Sequence, residues 1–291
     1  MRSRTLALAT GLGCHVLEWG DDAAPRATIV LVHGFLDNAY GWHEVAPALA
    51  AQAGAQVVAV DVRGHGDSDW VGAGGYYHYM DYVADLDDAI RQVARGPIAV
   101  VGHSMGGGVA AYWAGARPEL ARAVALLEGI GPPDQTDVDV AARAGMWIDG
   151  WRTARRAFKP MASLDVAAAR LRKHDPLLGE ALALRLAEHG TRAVDGGGVV
   201  WKHDPLHLTQ GPHPFRRDFA AQFWRRIACP VLVVDGADST LNLPLAEREL
   251  RRAALRDVRH AILPGAGHMM QRHQPAALAA LLAAHVARAI E

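Results

Sequence analysis

Short apolar runs alternate with amphipathic stretches along most of the chain. The runs are rich in Val, Ile, Leu and Ala and span residues 28–32, 57–60, 98–101, 123–127, 231–234 and 260–263. Between two of them, apolar residues recur at helical spacing, at Tyr82, Leu86, Ile90 and Val93. Uninterrupted β-rich runs separated by helices are typical of parallel strands buried on both faces. The pattern therefore predicts a doubly wound, mostly parallel α/β sheet.

The pattern changes between residues 134 and 228. Strand-like runs disappear there, and helical stretches rich in arginine take over, as at 163–173 and 177–189. This segment holds 15 of the 30 basic residues but only 11 of the 31 acidic ones. We interpret 134–228 as a helical cap inserted into a core formed by 1–133 and 229–291. A solvated helical surface explains the excess positive charge most simply, and attraction of an anionic substrate is the alternative.

Composition and charge exclude several classes of partner. The chain has 291 residues, of which 51% are hydrophobic and 21% charged, and its net charge is −1. This balance gives no strong field to attract nucleic acid or an anionic membrane. Two cysteines, Cys14 and Cys229, are too few for a disulfide framework or a cysteine-based zinc site. No apolar run is long enough for a membrane span, and the first residues favour a strand or hairpin reaching Trp19 over a signal peptide, so we expect a cytoplasmic protein.

A nucleophile motif follows the apolar run at 98–101. Residues 102–106 (GHSMG) match G-x-S-x-G and stand directly after a predicted strand and directly before a predicted helix. The glycines permit a sharp turn that lifts the hydroxyl of Ser104 above the end of the sheet. A serine that only caps the helix is the alternative, but the position between strand and helix favours Ser104 as a nucleophile.

Three further motifs at strand ends make the chain resemble the α/β-hydrolase family over nearly its whole length. Residues 33–35 (HGF) resemble the family's HG-x loop, and residues 61–68 (DVRGHGDS) resemble its D-x-R-G-x-G-x-S turn. Residues 265–268 (GAGH) resemble the G-x-G-H that presents the catalytic histidine. The resemblance implies the α/β-hydrolase fold and a small-molecule acyl substrate, with no cofactor. The turn at 61–68 is interpreted as structural.

The family's mechanism transfers to this chain residue by residue. A serine hydroxyl is a weak nucleophile near neutral pH, so a base must take its proton as it attacks. The resemblance implies that His268 is this base, and an imidazole suits the role. It also implies that the backbone N–H groups of Phe35 and Met105 stabilise the oxyanion.

The acid that completes the triad has two candidates. The usual family position, after the penultimate strand, falls on Ser239, and Asp238 lies one residue early. Glu128 closes the strand that follows the nucleophile helix, in a run (LEGIGPP, 127–133) that resembles a strand end in those haloalkane dehalogenases whose acid lies there. A carboxylate at a buried strand end is costly without a partner such as His268, so we favour Glu128 over Asp238. A glutamate bound only by loop amides is the alternative.

Fifteen histidines raise the question of a metal site. His203, His207 and His213 are close in sequence, but Pro205 prevents a helical i, i+4 pair of ligands. We therefore expect no metal. Trp201, His203 and His207 are assigned instead to lining the substrate pocket or bracing the cap over it.

The leading functional hypothesis is a carboxylesterase-like hydrolase that forms an acyl-enzyme on Ser104. The same triad serves thioesterases, lactonases, acyltransferases and C–C hydrolases, which form the second class. A receptor that binds a ligand without catalysis is the third, and the apparently complete catalytic set argues against it. Dehalogenase and typical epoxide-hydrolase chemistry is disfavoured because those family members have an aspartate at the position of Ser104.

Overall fold

The computed structural model describes residues 1–20, 24–154 and 157–290. Its strands are β1 (Arg2–Ala7), β2 (Gly13–Trp19), β3 (Thr28–Val32), β4 (Gln56–Val60), β5 (Ile98–His103), β6 (Ala121–Leu127), β7 (Thr191–Ala193), β8 (Val199–Trp201), β9 (Val231–Gly236) and β10 (Val258–Leu263). Eight of them form one sheet in the order β1-β2-β4-β3-β5-β6-β9-β10. Pairings of β2 with β1 and β4 are antiparallel and the others are parallel. The predicted, mostly parallel α/β sheet is therefore confirmed.

Helices cover both faces of this sheet. The helices in the described residues are α1 (Ala46–Ala53), α2 (Tyr79–Val93), α3 (Met105–Ala116), α4 (Val140–Thr153), α5 (Leu164–His174), α6 (Glu180–Gly190), α7 (Arg217–Trp224), α8 (Leu245–Arg252), α9 (Met270–His273) and α10 (Pro275–Ile290). Helices α1 and α10 lie on one face, and α2, α3 and α7 lie on the other. Among the helices described, none is both long and apolar enough to cross a bilayer.

Buried apolar side chains fill the space on both sides of the sheet. Strands β3 and β4 are buried along their whole length, which explains why their sequences run apolar without alternation. On one face the strands pack with Trp42, Leu49 and Leu282, and on the other with Ile90 and Trp113. The two clusters fix the sheet between the helical layers.

The carboxyl ends of the parallel strands meet at one edge of the sheet. Val32 at the end of β3 pairs with Gly102 in β5, and His103 at the end of β5 pairs with Leu127 at the end of β6. Residues that directly follow these strands therefore stand side by side, where open α/β sheets bind their ligands. All four sequence motifs end at this edge.

The segment predicted as a cap is mainly helical, with α4 to α7 and the hairpin β7–β8. Helix α6 packs on a short 3-10 helix, Ala39–Trp42, where the rings of Tyr40 and His189 stack with centroids 3.5 Å apart. Helix α7 differs from the prediction, because its buried face, Ala220 and Trp224 included, packs with α3 in the core. Because α7 packs with the core, the inserted helical segment ends before Arg217 when it is defined by its contacts.

Candidate active site

Ser104 occupies the sharp turn between β5 and α3. Its backbone angles, φ 53° and ψ −119°, lie where non-glycine residues are rarely found. A Cβ on Gly102 would collide with the carbonyl oxygen of Gly106, and a Cβ on Gly106 would collide with that of Val32. The Ser104 N–H donates to Leu127 O at 2.9 Å. Such a conformation costs of order 1–3 kcal/mol, and this close packing holds it in place.

Glu128 binds the imidazole of His268. Glu128 Oε2 lies 2.7 Å from His268 Nδ1, and 4% of the glutamate side chain is exposed, against 22% for the histidine. The Gly236 N–H donates to Oε1 at 2.9 Å, and the Ser239 hydroxyl donates to Oε2 at 2.7 Å. Burial opposes the charge of this carboxylate, but the hydrogen bonds lower its pKa below the usual value. Nδ1 of the ring thus faces the acid, which leaves Nε2 for another partner.

Asp238, the other candidate acid, lies away from the histidine. Strand β9 ends at Gly236, and the backbone N–H of Asp238 donates to Ala266 O at 2.9 Å. This turn leaves the Asp238 side chain exposed, and within the described chain it makes no hydrogen bond or ion pair. Of the two carboxylates, the structure brings only Glu128 to His268.

Two backbone N–H groups next to the serine are free to bind an anion. Phe35 and Met105 line the same cavity as Ser104, and neither N–H donates to an acceptor in the described chain. Met105 opens α3, where the first N–H groups lack partners within the helix. His33 fixes the Phe35 loop, because its Nε2 accepts from Val62 N–H at 3.1 Å. The Nδ1 of His33 then carries the proton and donates to the carbonyl oxygen of Gly34 at 2.7 Å.

Two histidines that the sequence analysis missed hold the His268 loop. His103 Nε2 donates to the carbonyl oxygen of His268 at 2.8 Å. Burial, reinforced by His268, lowers the pKa of His103 to about 3, so this ring is neutral. His273 Nδ1 accepts from Gly267 N–H at 3.0 Å, and its Nε2 lies 2.8 Å from Asp175. His103 fills a variable position of G-x-S-x-G, so its sequence context gives no signal of this role.

The turn at 61–68 is a structural clamp, as its sequence position indicates. Arg63 forms a two-point ion pair with Asp85, with both N···O distances 2.6 Å. The buried carboxylate of Asp61 accepts from two backbone N–H groups at 2.6 and 2.9 Å and lies 2.7 Å from His15 Nδ1. His15, Asp61 and Asp67 are the described residues whose ligand atoms come close enough to share one ion. The hydrogen bonds already made by Asp61 assign this group to the clamp.

Ser104, Glu128 and His268 line one cavity of about 400 Å³, a volume within the range of small-molecule sites. The other walls are mainly the loop 129–133 after β6, residues 241–243, and Arg248 and Arg252 on α8. No described residue of 134–228 lines it. The described part of the cap therefore lies outside the wall of this cavity.

A sequence model of the alpha/beta hydrolase fold family matches residues 27–272, which include Ser104, Glu128 and His268. The chain belongs to this family. This α/β-hydrolase also has curated relatives and solved neighbours whose names describe hydrolases, so hydrolase activity follows at the level of the class.

The esterase Rv0045c of Mycobacterium tuberculosis is 30% identical over 267 residues, covering 90% of this α/β-hydrolase and 82% of the relative. The 3-hydroxybutyrate-oligomer hydrolase of Cupriavidus necator is 30% identical over 275 residues, covering 90% and 89%. A solved thioesterase domain from the curacin biosynthetic pathway superposes with a TM-score of 0.84 at 28% identity, over 97% of this chain and 98% of that one. The names of these three proteins describe an esterase, an oligomer hydrolase and a thioesterase.

Three cap residues assigned to the pocket lie elsewhere in this α/β-hydrolase. Trp201 and His203 line a separate cavity of about 30 Å³, whose wall also includes Leu36. His207 is buried against Tyr77, with ring centroids 3.7 Å apart. Buried residues of α5 and α6 join the apolar cluster that contains α1 and α10, whereas α3 belongs to the other cluster. Trp201, His203 and His207 therefore lie outside the lining of the cavity that contains Ser104, in positions that suit bracing of the cap.

Proposed function

We propose that this α/β-hydrolase is a serine esterase, which cleaves a carboxylic ester through an acyl-enzyme on Ser104. The observation that carries the proposal is the 2.7 Å bond between Glu128 and His268 beside Ser104 in one cavity. Because Glu128 accepts from Nδ1–H, the lone pair of Nε2 is available for the serine proton. General-base catalysis requires this orientation of the ring.

The geometry supports the following sequence of steps. Ser104 Oγ attacks the acyl carbon while His268 Nε2 takes its proton, and the N–H groups of Phe35 and Met105 stabilise the negative charge on the carbonyl oxygen. Each such donor contributes about 10²–10³ in rate. His268 then gives the proton to the alcohol as the ester bond breaks. Water, deprotonated by the same ring, attacks the acyl-enzyme and releases the carboxylic acid and the free serine.

The relatives favour an ester as the bond that is cleaved, and one neighbour favours a second candidate. An esterase and a 3-hydroxybutyrate-oligomer hydrolase align over 90% of the chain. The thioesterase domain with a TM-score of 0.84 makes a thioester the alternative substrate. Both substrates give the same acyl-enzyme, so the two functions differ only in the leaving group.

A panel of p-nitrophenyl esters of graded acyl length, matched with N-acetylcysteamine thioesters of the same acids, tests the proposal. We expect ester hydrolysis that persists in EDTA and falls by about 10⁴-fold or more in Ser104→Ala. Ser163→Ala is the matched control, because it removes a half-buried hydroxyl that caps α5 outside the cavity, and it should retain activity. A Ser104→Ala protein that keeps most of its kcat would exclude the nucleophile, and hydrolysis of the thioesters alone would favour the second candidate.

A further inference from the structure

Two arginines one helical turn apart on α8, Arg248 and Arg252, line the cavity that contains Ser104. Arg248 Nη1 donates to Asp235 Oδ2 at 2.7 Å. The Arg252 side chain makes no hydrogen bond to any described residue, and its one ion pair, to the same carboxylate oxygen, spans 3.9 Å. Only 14% of the Arg252 side chain is exposed. The Arg252 guanidinium therefore lines the cavity without a close acceptor, and its Nη1 is buried.

Keeping the Arg252 guanidinium largely out of water is unfavourable unless another group accepts hydrogen bonds from it. A guanidinium has five N–H donors, and a buried charge is stabilised only when its donors are paired. Arg252 Nη1 and Arg248 Nε are buried without a hydrogen-bond partner. Asp235 directs Oδ2 to Arg248 and to His260 Nε2, 2.8 Å away, and makes no hydrogen bond to Arg252. Acceptors for Arg252 are therefore left to water or to a molecule bound in the cavity, and an anionic group would satisfy them best.

Unused hydrogen-bond donors, and not an excess of positive charge, distinguish this part of the cavity. The ionised side chains of the lining are Glu128, Asp235, Arg248 and Arg252, whose charges sum to zero. Glu128 is bonded to His268, and Asp235 is bonded to Arg248. Among these four described side chains, Arg252 is therefore the one that makes no hydrogen bond to another charged group.

We propose that Arg252, together with Arg248, binds a carboxylate on the substrate. The preferred substrates would then be acyl compounds with a second, anionic group, such as monoesters of dicarboxylic acids. A guanidinium can hold a carboxylate through two parallel N–H···O bonds, which gives both affinity and orientation. This inference rests on the proposed acyl-enzyme at Ser104, with which the arginines share a cavity.

Pairs of esters that differ only in one carboxylate test the inference. Monoethyl esters of dicarboxylic acids are compared with ethyl esters of monocarboxylic acids of the same chain length, which places the charge on the acyl side. The acetates of 4-hydroxybenzoate and of 4-methylphenol place it on the leaving group. With hydrolysis followed by pH-stat titration, we expect kcat/KM to be about 10- to 100-fold higher for the charged member on one of the two sides, mainly through a lower KM.

The variants assign this preference to the arginine. Arg252→Gln should remove the preference, and Arg252→Lys, which keeps the charge without the two-point geometry, should retain part of it. The matched control is Arg256→Gln, which removes an exposed arginine outside the cavity and should preserve the ratio. Thermal unfolding of each variant shows whether it is folded. Competitive inhibition of neutral-ester hydrolysis by free dicarboxylates, weakened in Arg252→Gln, is expected as an independent measure of binding.

The outcomes separate this inference from the proposed function. Equal kcat/KM for charged and neutral members, with hydrolysis still dependent on Ser104, would overturn the carboxylate site and leave the esterase proposal standing. A preference that survives in folded Arg252→Gln would overturn the assignment to Arg252. Hydrolysis that survives Ser104→Ala, or absence of hydrolysis for every ester, would overturn the proposed function and this inference with it.

Discussion

Replacing Glu128 with glutamine removes the charge that faces the histidine and keeps the shape of the side chain. The amide oxygen can still accept from the Gly236 N–H, and the NH₂ group then takes the place of Oε2, opposite His268 Nδ1. An NH₂ group only donates, so the ring must present Nδ1 as an acceptor and carry its proton on Nε2. In that tautomer His268 cannot accept the proton of Ser104.

The magnitude follows from this loss of the base. We expect kcat to fall by about 10³- to 10⁴-fold, which is about 4–5.5 kcal/mol of activation free energy at about 1.36 kcal/mol per tenfold. Stability should fall as well, because the hydrogen bonds to Glu128 lower its pKa in the folded protein. A lowered carboxylate pKa stabilises the fold above the pKa of the unfolded chain, and this contribution disappears as the pH falls through the folded-state pKa. The difference in unfolding free energy between wild type and variant should thus shrink in acid.

Asp238→Asn is the matched control, because it removes an exposed carboxylate that makes no side-chain hydrogen bond in the described chain. Initial rates on a p-nitrophenyl ester and urea unfolding at about pH 7 and about pH 4 would be measured for both variants. The control should stay within about twofold of the wild-type kcat, as surface substitutions usually do little. Loss of activity in Asp238→Asn, with Glu128→Gln still active, would refute the reasoning.

Three further substitutions, Gly106→Ala, His207→Gln and Arg251→Lys, test the packing of the fold, and the first two have matched controls. Gly106→Ala should prevent folding or abolish activity because its Cβ would collide with carbonyl oxygens at the end of β3. Gly145→Ala is its matched control, because the new Cβ on α4 meets open space, and it should raise the free energy of unfolding by about 0.5–1 kcal/mol. Equal thermal unfolding of the Gly106→Ala and Gly145→Ala proteins would contradict the predicted collision. Burial lowers the pKa of His207 to about 3, so stability should fall as the pH drops from about 6.5 towards that value, since the unfolded chain takes up the proton first. Urea titrations should show that the unfolding free energy falls less steeply with decreasing pH in His207→Gln than in wild type or in the exposed-site variant His213→Gln. Identical pH dependence in all three would contradict this role of His207. Arg251, fully buried, donates to three carbonyl oxygens of the loop after β6 at 2.7–2.9 Å. Arg251→Lys should cost about 1–3 kcal/mol of stability and also lower kcat, and an unchanged Tm would argue against this loop support.

The strand-end motifs could be predicted from the sequence because each one is local. Parallel strands bring the residues that follow them to one edge, so the sequence alone predicts that Ser104, Glu128 and His268 meet there. The preference for Glu128 over Asp238 followed from position, since the usual family site falls on Ser239. In the structure the Ser239 hydroxyl donates to Glu128 and so supports the acid from the place that an aspartate would fill.

The position of the cap and the wall of the cavity could not be predicted in the same way. Trp201 and His203 were assigned by their place in the inserted segment, but where an insertion packs depends on contacts between distant residues. The cavity wall is instead formed partly by α8, whose sequence (LAERELRR) has the charge pattern typical of a solvated helix. Arg251 in that run is fully buried and Arg252 lines the cavity, and no local signal separates them from an exposed arginine.

Reaction of the intact protein with a fluorophosphonate tests the central claim most directly, because this reagent bonds covalently to a serine that an adjacent base has activated. Mass spectrometry of the whole protein gives the number of adducts, and peptide mapping gives their position. The account predicts one adduct on the folded protein, on the peptide that contains Ser104, and none on Ser104→Ala or on denatured protein. An adduct on another residue, or unmodified Ser104 in folded protein that hydrolyses esters, would contradict it.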